Sequence, residues 1–461
     1  MTDYFESDKL HEECGVFGVY APAGENVSND IYYGLVALQH RGQESAGMSV
    51  SDTDSYMGNL TTKKGMGLVG EVFSKSDLKE LKGNIGVGHV RYSTTGESIP
   101  ENAQPISMKY IKGSLSLVHN GNIINAQKIK ELQMYRGQAH YTTTDTEVIA
   151  YEIVSERVKT QSIEEAVINA AKKMKGGYAC LVMSPKKLVG IRDPYGIKPL
   201  VLGKKQDKYI LASESSAITA VGGELIRDIK PGEEIVITEE GIYSDETLCG
   251  LKCAHCIFEY IYFARSDSII DGIEVHEARF RAGQALARSS HVEADVVVGV
   301  PDSGLVAAEG YAKESGIPFA LAFHKNSYIG RSFIKPTDEE RKNAVIMKLS
   351  VLKSVVKDKR IVIIDDSIVR GTTMKKIIEM LKKEGAKEVH VRISSPPFLY
   401  PCFYGTDVPS SGQLIASEHS AEEVCKNIGA DSLVYLDTKD FKAMVGDLSI
   451  CSACFDNNYP V

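Results

Sequence analysis

The clearest pattern of apolar and polar positions lies between Arg360 and residue 393. Residues 361–364 are apolar and β-branched and lead into two acids, which predicts a buried parallel strand. Apolar residues then recur at the helical spacing i, i+3, i+4, i+7, at Met374, Ile377, Ile378 and Leu381. Gly385 ends this predicted helix, and residues 388–393 alternate as a second strand. The pattern therefore predicts a βαβ unit.

The loop between the first strand and the helix carries candidate chemistry. It begins with Asp365 and Asp366 and continues with small and hydroxyl residues, namely Ser367, Gly371, Thr372 and Thr373. Free N–H groups and the positive end of the helix dipole favour a phosphate at such a position. The two carboxylates would repel that phosphate unless a divalent cation or ribose hydroxyls lie between them. An acid-rich, solvated turn is the alternative interpretation.

A second loop of similar form lies upstream. Residues 294–300 form an apolar strand pattern, followed by Asp302, Ser303 and Gly304 at the predicted start of another helix. A strand, a short polar loop and a helix make an anion-binding arrangement, although a plain β–α turn has the same pattern. The basic segment 325–337 follows, and a solvated loop without a ligand is its alternative interpretation.

In the first half of the chain, short polar strings alternate with apolar, strand-like runs. Cys14 precedes one such run, and the polar strings span residues 40–47, 88–96, 119–122 and 142–147. Polar clusters at strand ends indicate a site built from loops on a rigid scaffold. Taken separately, Cys14 also suits a buried core thiol, and the Asn-Gly pair at 120–121 also suits a hairpin turn. Arg91 and Asp145 also suit plain ion-pair residues.

Composition limits the class of protein. A chain of 461 residues is expected to form two or three domains, and the polar stretch 241–250 is the predicted boundary. The net charge of −8 argues against nucleic-acid binding, and no apolar run approaches the roughly 20 residues of a membrane span. The acidic N-terminus is not a secretory signal, so we expect a cytoplasmic protein. Nine cysteines in such a chain favour catalytic or metal roles over disulfides.

The polar strings of the first half resemble the class II glutamine amidotransferase domain of the N-terminal nucleophile hydrolases, from Cys14 to about residue 230. The resemblance implies an αββα sandwich in which Cys14 is the nucleophile and its own α-amino group the general base. That role requires residues 1–13 to be a propeptide removed after Glu13. By the same resemblance, Asn120 and Gly121 form the oxyanion hole, and Arg91 and Asp145 bind the α-carboxylate and α-amino group of glutamine.

The string RIVIIDDSIVRGTT resembles the phosphoribosyl-pyrophosphate (PRPP) motif of type I phosphoribosyltransferases, which have an α/β fold. The resemblance implies that Asp365 and Asp366 hold the ribose hydroxyls and Mg²⁺, together with Ser303 as a further Mg²⁺ ligand. The 5′-phosphate would be bound by the loop residues Ser367, Arg370, Gly371, Thr372 and Thr373. Pyrophosphate would be bound by Asp302, Ser303 and Gly304, and its charge neutralised by Lys325, Arg331 and Lys348.

Four further cysteines lie in a distinctive context, at Cys256, Cys402, Cys451 and Cys454. A C-x-x-C pair is compatible with redox, zinc or iron–sulfur chemistry, and His255 leaves a zinc site open. The resemblance to bacterial-type glutamine PRPP amidotransferases implies a structural [4Fe–4S] cluster on these four thiolates. Cys249 and Cys253 lie close by in sequence and leave that ligand set less defined. Cys180 and Cys425 are predicted core thiols.

The two motif sets occur in the order found in the glutamine PRPP amidotransferase family. The resemblance implies a propeptide (1–13), a glutaminase domain (14–240) and a phosphoribosyltransferase domain (241–461). Ammonia from glutamine would displace pyrophosphate from PRPP to give 5-phosphoribosylamine, the first committed step of purine synthesis. It also implies a homotetramer inhibited by purine nucleotides. The alternatives are a sugar-phosphate acceptor, as in glucosamine-6-phosphate synthase, a non-catalytic PRPP sensor like the purine repressors, and an electron-transfer protein.

Overall fold

The structure is a computed structural model that describes residues 14–54, 60–92, 97–326, 349–406, 408 and 411–461. The predicted leader, residues 1–13, lies outside this part of the chain. Arg331 and Lys348 also lie outside it, so their predicted contact with pyrophosphate stays a prediction. Among the residues described, no helix has both the length and the apolar character that crossing a membrane requires.

The first half contains two antiparallel sheets. The seven-stranded sheet has the order Glu224–Asp228, Val201–Lys205, Lys208–Ala212, Gly15–Tyr20, Ile85–Arg91, Ser45–Ser51 and Thr61–Met66. The six-stranded sheet has the order Gly241–Asp245, Glu234–Thr238, Leu188–Arg192, Gly176–Met183, Gly113–Ile123 and Ile106–Tyr110. The last strand of this sheet in chain order, Gly241–Asp245, lies just beyond position 240, the domain boundary predicted from the sequence. The boundary itself stays a prediction.

The two sheets pack face to face and are covered by helices on their outer faces. Val87 and Leu211 of one sheet share a buried cluster with Leu181 and Ile235 of the other. Helices Ser28–Ala37, Val69–Val72, Lys75–Glu80 and Ser215–Ala220 cover the seven-stranded sheet. Helices Ala126–Tyr135, Asp145–Lys159 and Ile163–Ala171 cover the six-stranded sheet. This arrangement is the predicted αββα sandwich.

The second half is built on a parallel sheet with helices on both faces. Its strand order is Val296–Gly299, Arg360–Asp365, Glu388–Ile393 and Ser432–Tyr435. Helices Val275–Ser289, Gly304–Ser315 and Phe441–Val445 pack on one face, and helices Thr372–Lys383 and Ala421–Ile428 pack on the other. Consecutive strand residues point to opposite faces, so Val297 packs on the first face and Val298 on the second. The predicted α/β fold of this half is confirmed.

Short elements connect and flank these units. They comprise helices Lys353–Val356, Ile415–Glu418 and Ala453–Asp456, a π-helix at Glu259–Phe263, and 3₁₀ turns at Pro100–Asn102, Ser411–Gln413 and Thr438–Asp440. The two-stranded pairings are His255–Cys256 with Ile450–Cys451, Ile269–Ile270 with Ile273–Glu274, and Phe323–Lys325 with Leu349–Val351. The first of these pairings brings the C-x-x-C pair beside Cys256.

The predicted βαβ unit is confirmed in detail. The strand Arg360–Asp365 is followed by the helix Thr372–Lys383 and then by the parallel strand Glu388–Ile393. The four apolar residues at helical spacing are all buried, namely Met374, Ile377, Ile378 and Leu381. The hairpin-turn alternative for Asn120 and Gly121 is wrong, because both residues lie inside the strand Gly113–Ile123 and pair with Gly176–Met183.

Candidate functional site

The predicted nucleophile lies at the N-terminal end of the first strand of the sandwich. Cys14 immediately precedes the strand Gly15–Tyr20, whose register places Gly15 opposite Val90, beside Arg91. The Cys14 thiol lies 3.5 Å from the carbonyl oxygen of Tyr92. Burial raises the pKa of this thiol, and the nearby Arg91 cation opposes that effect without cancelling it. The thiol is therefore protonated at neutral pH and requires a base before it can attack.

The predicted glutamine-binding residues lie near this thiol. Arg91 is buried and donates to Glu44 over 2.8 Å, and Asp145 begins the helix Asp145–Lys159. Both charges, positive on Arg91 and negative on Asp145, are close enough to Cys14 to influence its ionisation. The Asp145 carboxylate also accepts from the N–H of Ile123 at 3.0 Å through Oδ2, and its Oδ1 lies 3.6 Å from His119 Nδ1. The structure thus brings together three residues that are distant in the sequence.

Asn120 is a buried amide with unused hydrogen-bonding capacity. Its side chain is fully buried, yet neither its nitrogen nor its oxygen bonds to any other described residue. An orphaned buried amide costs about 1–3 kcal/mol, so a ligand group that accepts from its nitrogen would restore that energy. The next residue, Gly121, has φ of +130° and lies so close to the adjacent strand that a Cβ would come within 2.1 Å of the Gly177 carbonyl oxygen. Glycine is therefore required there.

A buried ion network next to Cys14 was missed by the sequence reasoning. Arg41 is fully buried and donates to the Cys14 carbonyl oxygen at 3.2 Å. It also pairs with Glu214 and with Glu259, both over 2.6 Å. Glu259 lies on the π-helix of the second half, so the Arg41 guanidinium joins the backbone of Cys14 to the other half of the chain. The available signal was the presence of charged Glu259 within the aromatic run 258–263, because an acid in an apolar run requires a buried partner.

The predicted PRPP residues meet at one edge of the parallel sheet. Asp365 ends one strand and Asp366 follows it, and both are buried. The loop from Asp302 to Gly304 follows the neighbouring strand. The Ser303 hydroxyl donates to Asp366, and a Cβ on Gly304 would lie only 2.5 Å from the Ile364 carbonyl oxygen. The carboxyl ends of parallel strands share one edge, which is where ligands bind in such sheets.

The loop between Asp366 and the helix has the form of an anion site. Ser367 donates to Asp366 over 2.5 Å, and Gly371 adopts φ of +83° at the N-cap of the helix Thr372–Lys383. Arg370 donates to Gln413 over 2.8 Å, and Thr373 lies in the first turn of the helix. The N–H groups and the positive end of the dipole at the start of a helix favour an anion at this position.

Two further residues lie near the predicted PRPP loops. Lys325 forms an ion pair with Asp302, which holds a predicted pyrophosphate-binding cation against the predicted pyrophosphate loop. Burial, followed by the charges of Asp366 and Asp365, raises the pKa of Tyr262 far above its ordinary value. Tyr262 is another residue that the sequence reasoning did not single out, although it lies in the aromatic run 258–263 near the start of the second half.

The four cysteines predicted as cluster ligands line one cavity, namely Cys256, Cys402, Cys451 and Cys454. The same cavity is also lined by Ile197, Phe258 and Phe398. Burial, followed by the other three thiols, raises the pKa of Cys454 well above its ordinary value. No three His, Cys, Asp or Glu side chains within the described ranges converge on a single ion. Each iron of a [4Fe–4S] cluster takes one cysteine, so four thiols around a cavity suit a cluster better than one zinc ion.

The remaining cysteines and the neighbouring histidine lie elsewhere. Cys249 and Cys253 are not among the residues that line this cavity, and neither is His255. The Nδ1 atom of His255 instead lies 2.8 Å from the Asp271 carboxylate. Cys180 is buried in the core as predicted, whereas Cys425 is only half-buried and donates to the Ala430 carbonyl oxygen at 3.3 Å.

Comparison with known proteins agrees with this geometry. Residues 89–220 match the glutamine amidotransferase domain family, and residues 270–394 match the phosphoribosyl transferase domain family. The amidophosphoribosyltransferase of Bacillus subtilis is 45% identical over 98% of this chain and 94% of its own length. That of Methanocaldococcus jannaschii is 44% identical over 97% of both chains. The chain belongs to the amidophosphoribosyltransferase family. The family, fold and enzyme class predicted from the sequence are thereby confirmed.

Two solved structures match nearly the full length of the chain. The B. subtilis enzyme in complex with ADP and GMP matches with a TM-score of 0.89 at 44% identity, covering 97% of each chain. A structure described as the allosteric regulatory enzyme of purine biosynthesis matches with a TM-score of 0.90 at 44% identity, covering 97% of this chain and 96% of that chain. Glutamine-dependent amidotransfer to PRPP in purine biosynthesis, the predicted function, is confirmed at the level of the family, and this family uses Mg²⁺ with PRPP.

Proposed function

We propose that this chain hydrolyses glutamine at Cys14 and transfers the ammonia to PRPP, releasing pyrophosphate and forming 5-phosphoribosylamine. The observation that supports it is that one chain carries both constellations, with buried Arg41 bridging from the Cys14 carbonyl to Glu259 in the second half. A sugar-phosphate acceptor is disfavoured, because the second half is a parallel sheet with the acid pair and anion loop at its carboxyl edge.

The glutaminase step assigns a task to each residue near Cys14. The thiol attacks the side-chain carbonyl carbon of glutamine, and the α-amino group of Cys14, once residues 1–13 are removed, accepts the thiol proton and passes it to the departing ammonia. Water then hydrolyses the thioester that remains, which releases glutamate and restores the thiol. An α-amine has a pKa near 8, which suits this role at neutral pH. The orphaned Asn120 amide and the Gly121 N–H would stabilise the oxyanion, while Arg91 and Asp145 would hold the glutamine carboxylate and amine.

The transfer step takes place at the edge of the parallel sheet. Mg²⁺ there would be held by Asp365, Asp366 and Ser303, since this hard cation is usually bound by one or two carboxylates together with substrate phosphates. When bound, the ion would neutralise charge on the departing pyrophosphate. The first turn of helix Thr372–Lys383 would bind the 5′-phosphate, and Lys325, Arg331 and Lys348 would attract the pyrophosphate.

The cysteine cavity supports a proposed structural cluster. The thiolates of Cys256, Cys402, Cys451 and Cys454 would hold a [4Fe–4S] group, which would tie the segments 255–256, 402 and 450–454 together. Burial raises the pKa of Cys451 to about 12 and that of Cys454 well above its ordinary value, so these two thiols stay protonated unless iron displaces the protons. Iron binding would therefore stabilise the fold and become weaker at low pH.

Several broader properties are proposed from the same family membership. We infer a propeptide at 1–13, a glutaminase domain over 14–240 and a phosphoribosyltransferase domain over 241–461. A cytoplasmic location, a homotetramer and inhibition by purine nucleotides are inferred as well, the last because the B. subtilis structure holds ADP and GMP.

The deciding experiment measures both products at once. Protein prepared without oxygen is incubated with PRPP, Mg²⁺ and glutamine, and glutamate and pyrophosphate are assayed together. Equal, coupled release is the expected result, and Cys14→Ala should release pyrophosphate only when ammonia replaces glutamine. Glutamate without pyrophosphate would contradict the proposed acceptor. The protein used must begin at Cys14, as checked by mass. If such protein binds PRPP but releases no pyrophosphate, the result would favour a non-catalytic PRPP sensor.

A further inference from the structure

A loop from the far end of the chain packs directly against the proposed oxyanion strand. This loop, residues 401–406, lies between the strands Glu388–Ile393 and Ser432–Tyr435 of the parallel sheet and contacts the αββα sandwich. Its Gly405 has φ of +104°, and a Cβ there would lie 2.9 Å from the carbonyl carbon and 3.0 Å from the Cα of Gly121. Next to it, the Asn122 side chain donates to the Phe403 carbonyl oxygen at 2.8 Å.

Gly121 is therefore confined from two sides. On one side its backbone touches Gly177, where a Cβ on Gly121 would come within 2.1 Å of the carbonyl oxygen. On the other side it touches Gly405. Neither contact leaves space for a methyl group, so the peptide of Gly121 has little room to shift. Hydrogen-bond donors stabilise an oxyanion only when they are already aimed at it, and an error of about 1 Å costs about 100-fold in rate.

The loop is in turn held by the segment 454–461. The Tyr459 hydroxyl donates to the Pro401 carbonyl oxygen at 2.6 Å, and its ring lies 4.8 Å from the ring of Phe403. The Tyr404 hydroxyl accepts from the Val461 N–H at 3.1 Å. Contacts of the second half thus fix the loop, and the loop contacts the strand of the glutaminase half.

We propose that loop 401–406 holds the backbone of Gly121 in place and thereby positions the Gly121 N–H, the proposed donor to the oxyanion. Glutamine hydrolysis then depends on packing supplied by the second half. This inference rests on the proposed function. Gly405 is a positioning residue, since it touches the backbone of Gly121 and not the substrate. Damage to the loop slows glutamine hydrolysis while the ammonia-dependent reaction at the parallel sheet continues.

The principal test compares Gly405→Ala with Gly250→Ala in the full chain. Gly250 has φ of +100° but nothing within 4 Å of its Cβ position, so the two variants share backbone strain and differ in the contact with Gly121. We expect Gly405→Ala to lower kcat for glutamine hydrolysis by about 10- to 100-fold, with KM for glutamine nearly unchanged. Ammonia-dependent pyrophosphate release should stay at the wild-type rate, and Gly250→Ala should match the wild type in both reactions.

A binding measurement separates positioning from general damage. The probe is the aldehyde analogue of glutamine, glutamate γ-semialdehyde. The Cys14 thiol adds to its aldehyde carbon to form a hemithioacetal, which places the former aldehyde oxygen where the oxyanion forms. Its affinity for Gly405→Ala should fall by the same factor as kcat/KM, while the affinity for glutamate stays constant. If Gly405→Ala fails to fold, Tyr459→Phe offers a milder change, because it removes only the hydroxyl contact with Pro401. It should lower kcat for glutamine in the same direction.

The outcomes distinguish this inference from the proposed function. A wild-type chain that releases no glutamate overturns both. Active wild type together with an unchanged kcat for Gly405→Ala overturns the positioning role alone. Equal losses in the glutamine- and ammonia-dependent reactions, or a raised KM for glutamine at constant kcat, also overturn it. A loss confined to kcat for glutamine, matched by weaker aldehyde binding, supports it.

Discussion

Glu214 should contribute strongly to stability because its carboxylate is the centre of a buried network that spans both halves. It is fully buried, and Oε1 accepts from Arg41 at 2.6 Å and lies 2.7 Å from His40 Nε2. Its Oε2 accepts from the Ser268 hydroxyl at 2.7 Å and the Arg265 N–H at 3.0 Å. Ser268 and Arg265 belong to the second half of the chain.

The change Glu214→Gln keeps the shape and removes the charge and one acceptor. The amide nitrogen of Gln would face either the Arg265 N–H or Arg41, and in both cases the Arg41 cation would lose one of its close carboxylate partners. Breaking a buried, hydrogen-bonded ion pair costs about 3–5 kcal/mol. We expect the apparent free energy of unfolding at pH 7 to fall by about that amount, measured by circular dichroism in urea.

The same substitution at an exposed pair provides the control. Glu246 pairs with Lys230 over 2.6 Å, and both side chains are at least half exposed, so Glu246→Gln should leave the unfolding midpoint almost unchanged. Equal effects of the two substitutions would refute the reasoning, since they would show that the Glu214 network adds no more than a surface pair.

The pH dependence gives an independent check on Glu214. Burial alone would raise its pKa, but His40 and Arg41 outweigh burial and hold the pKa well below the ordinary value. A carboxyl with a lowered folded pKa stabilises the fold above its unfolded pKa of about 4.3, and that contribution is lost as the pH falls through the folded pKa. Wild type should therefore lose more stability on acidification below pH 4.3 than Glu214→Gln. If the unfolding free energies of the wild type and Glu214→Gln fell equally with pH below 4.3, the lowered pKa of Glu214 would be contradicted.

Three further predictions concern the second half. Asp366→Asn should lower pyrophosphate release with glutamine and with ammonia alike, because a charged ligand at the sheet edge is lost; retention of either rate would argue against a shared acceptor site. Gly371 has φ of +83°, and an alanine in this left-handed conformation costs about 1 kcal/mol, so Gly371→Ala should weaken PRPP binding about fivefold or more. The control is Gly429→Ala, which has a similar φ of +78° but lies outside the loop and should leave the KM for PRPP unchanged. Cys451→Ala should abolish iron binding, measured as iron and sulfide per chain, and full iron content would exclude this ligand.

Much of each local unit could be predicted from the sequence. The strand, helix and strand from Arg360 to Ile393 follow from apolar periodicity, and periodicity is a property of neighbouring residues. The Asn-Gly pair at 120–121 shows the limit of that reasoning. Its residues are typical of a hairpin turn, yet pairing with the strand Gly176–Met183 keeps them extended, because tertiary packing overrides local turn preference.

The sequence by itself determined the two motif sets, their order and the elements that carry them, since these depend on residue types at short spacing. Only the tertiary structure decided which distant residues share a contact. Arg41 and Glu259 lie 218 residues apart and form a buried ion pair, and Asn122 bonds to Phe403 across 281 residues. The packing of Gly405 on Gly121 is of the same kind. Such contacts depend on how the sheets and the parallel fold are placed against each other, and no local pattern encodes that placement.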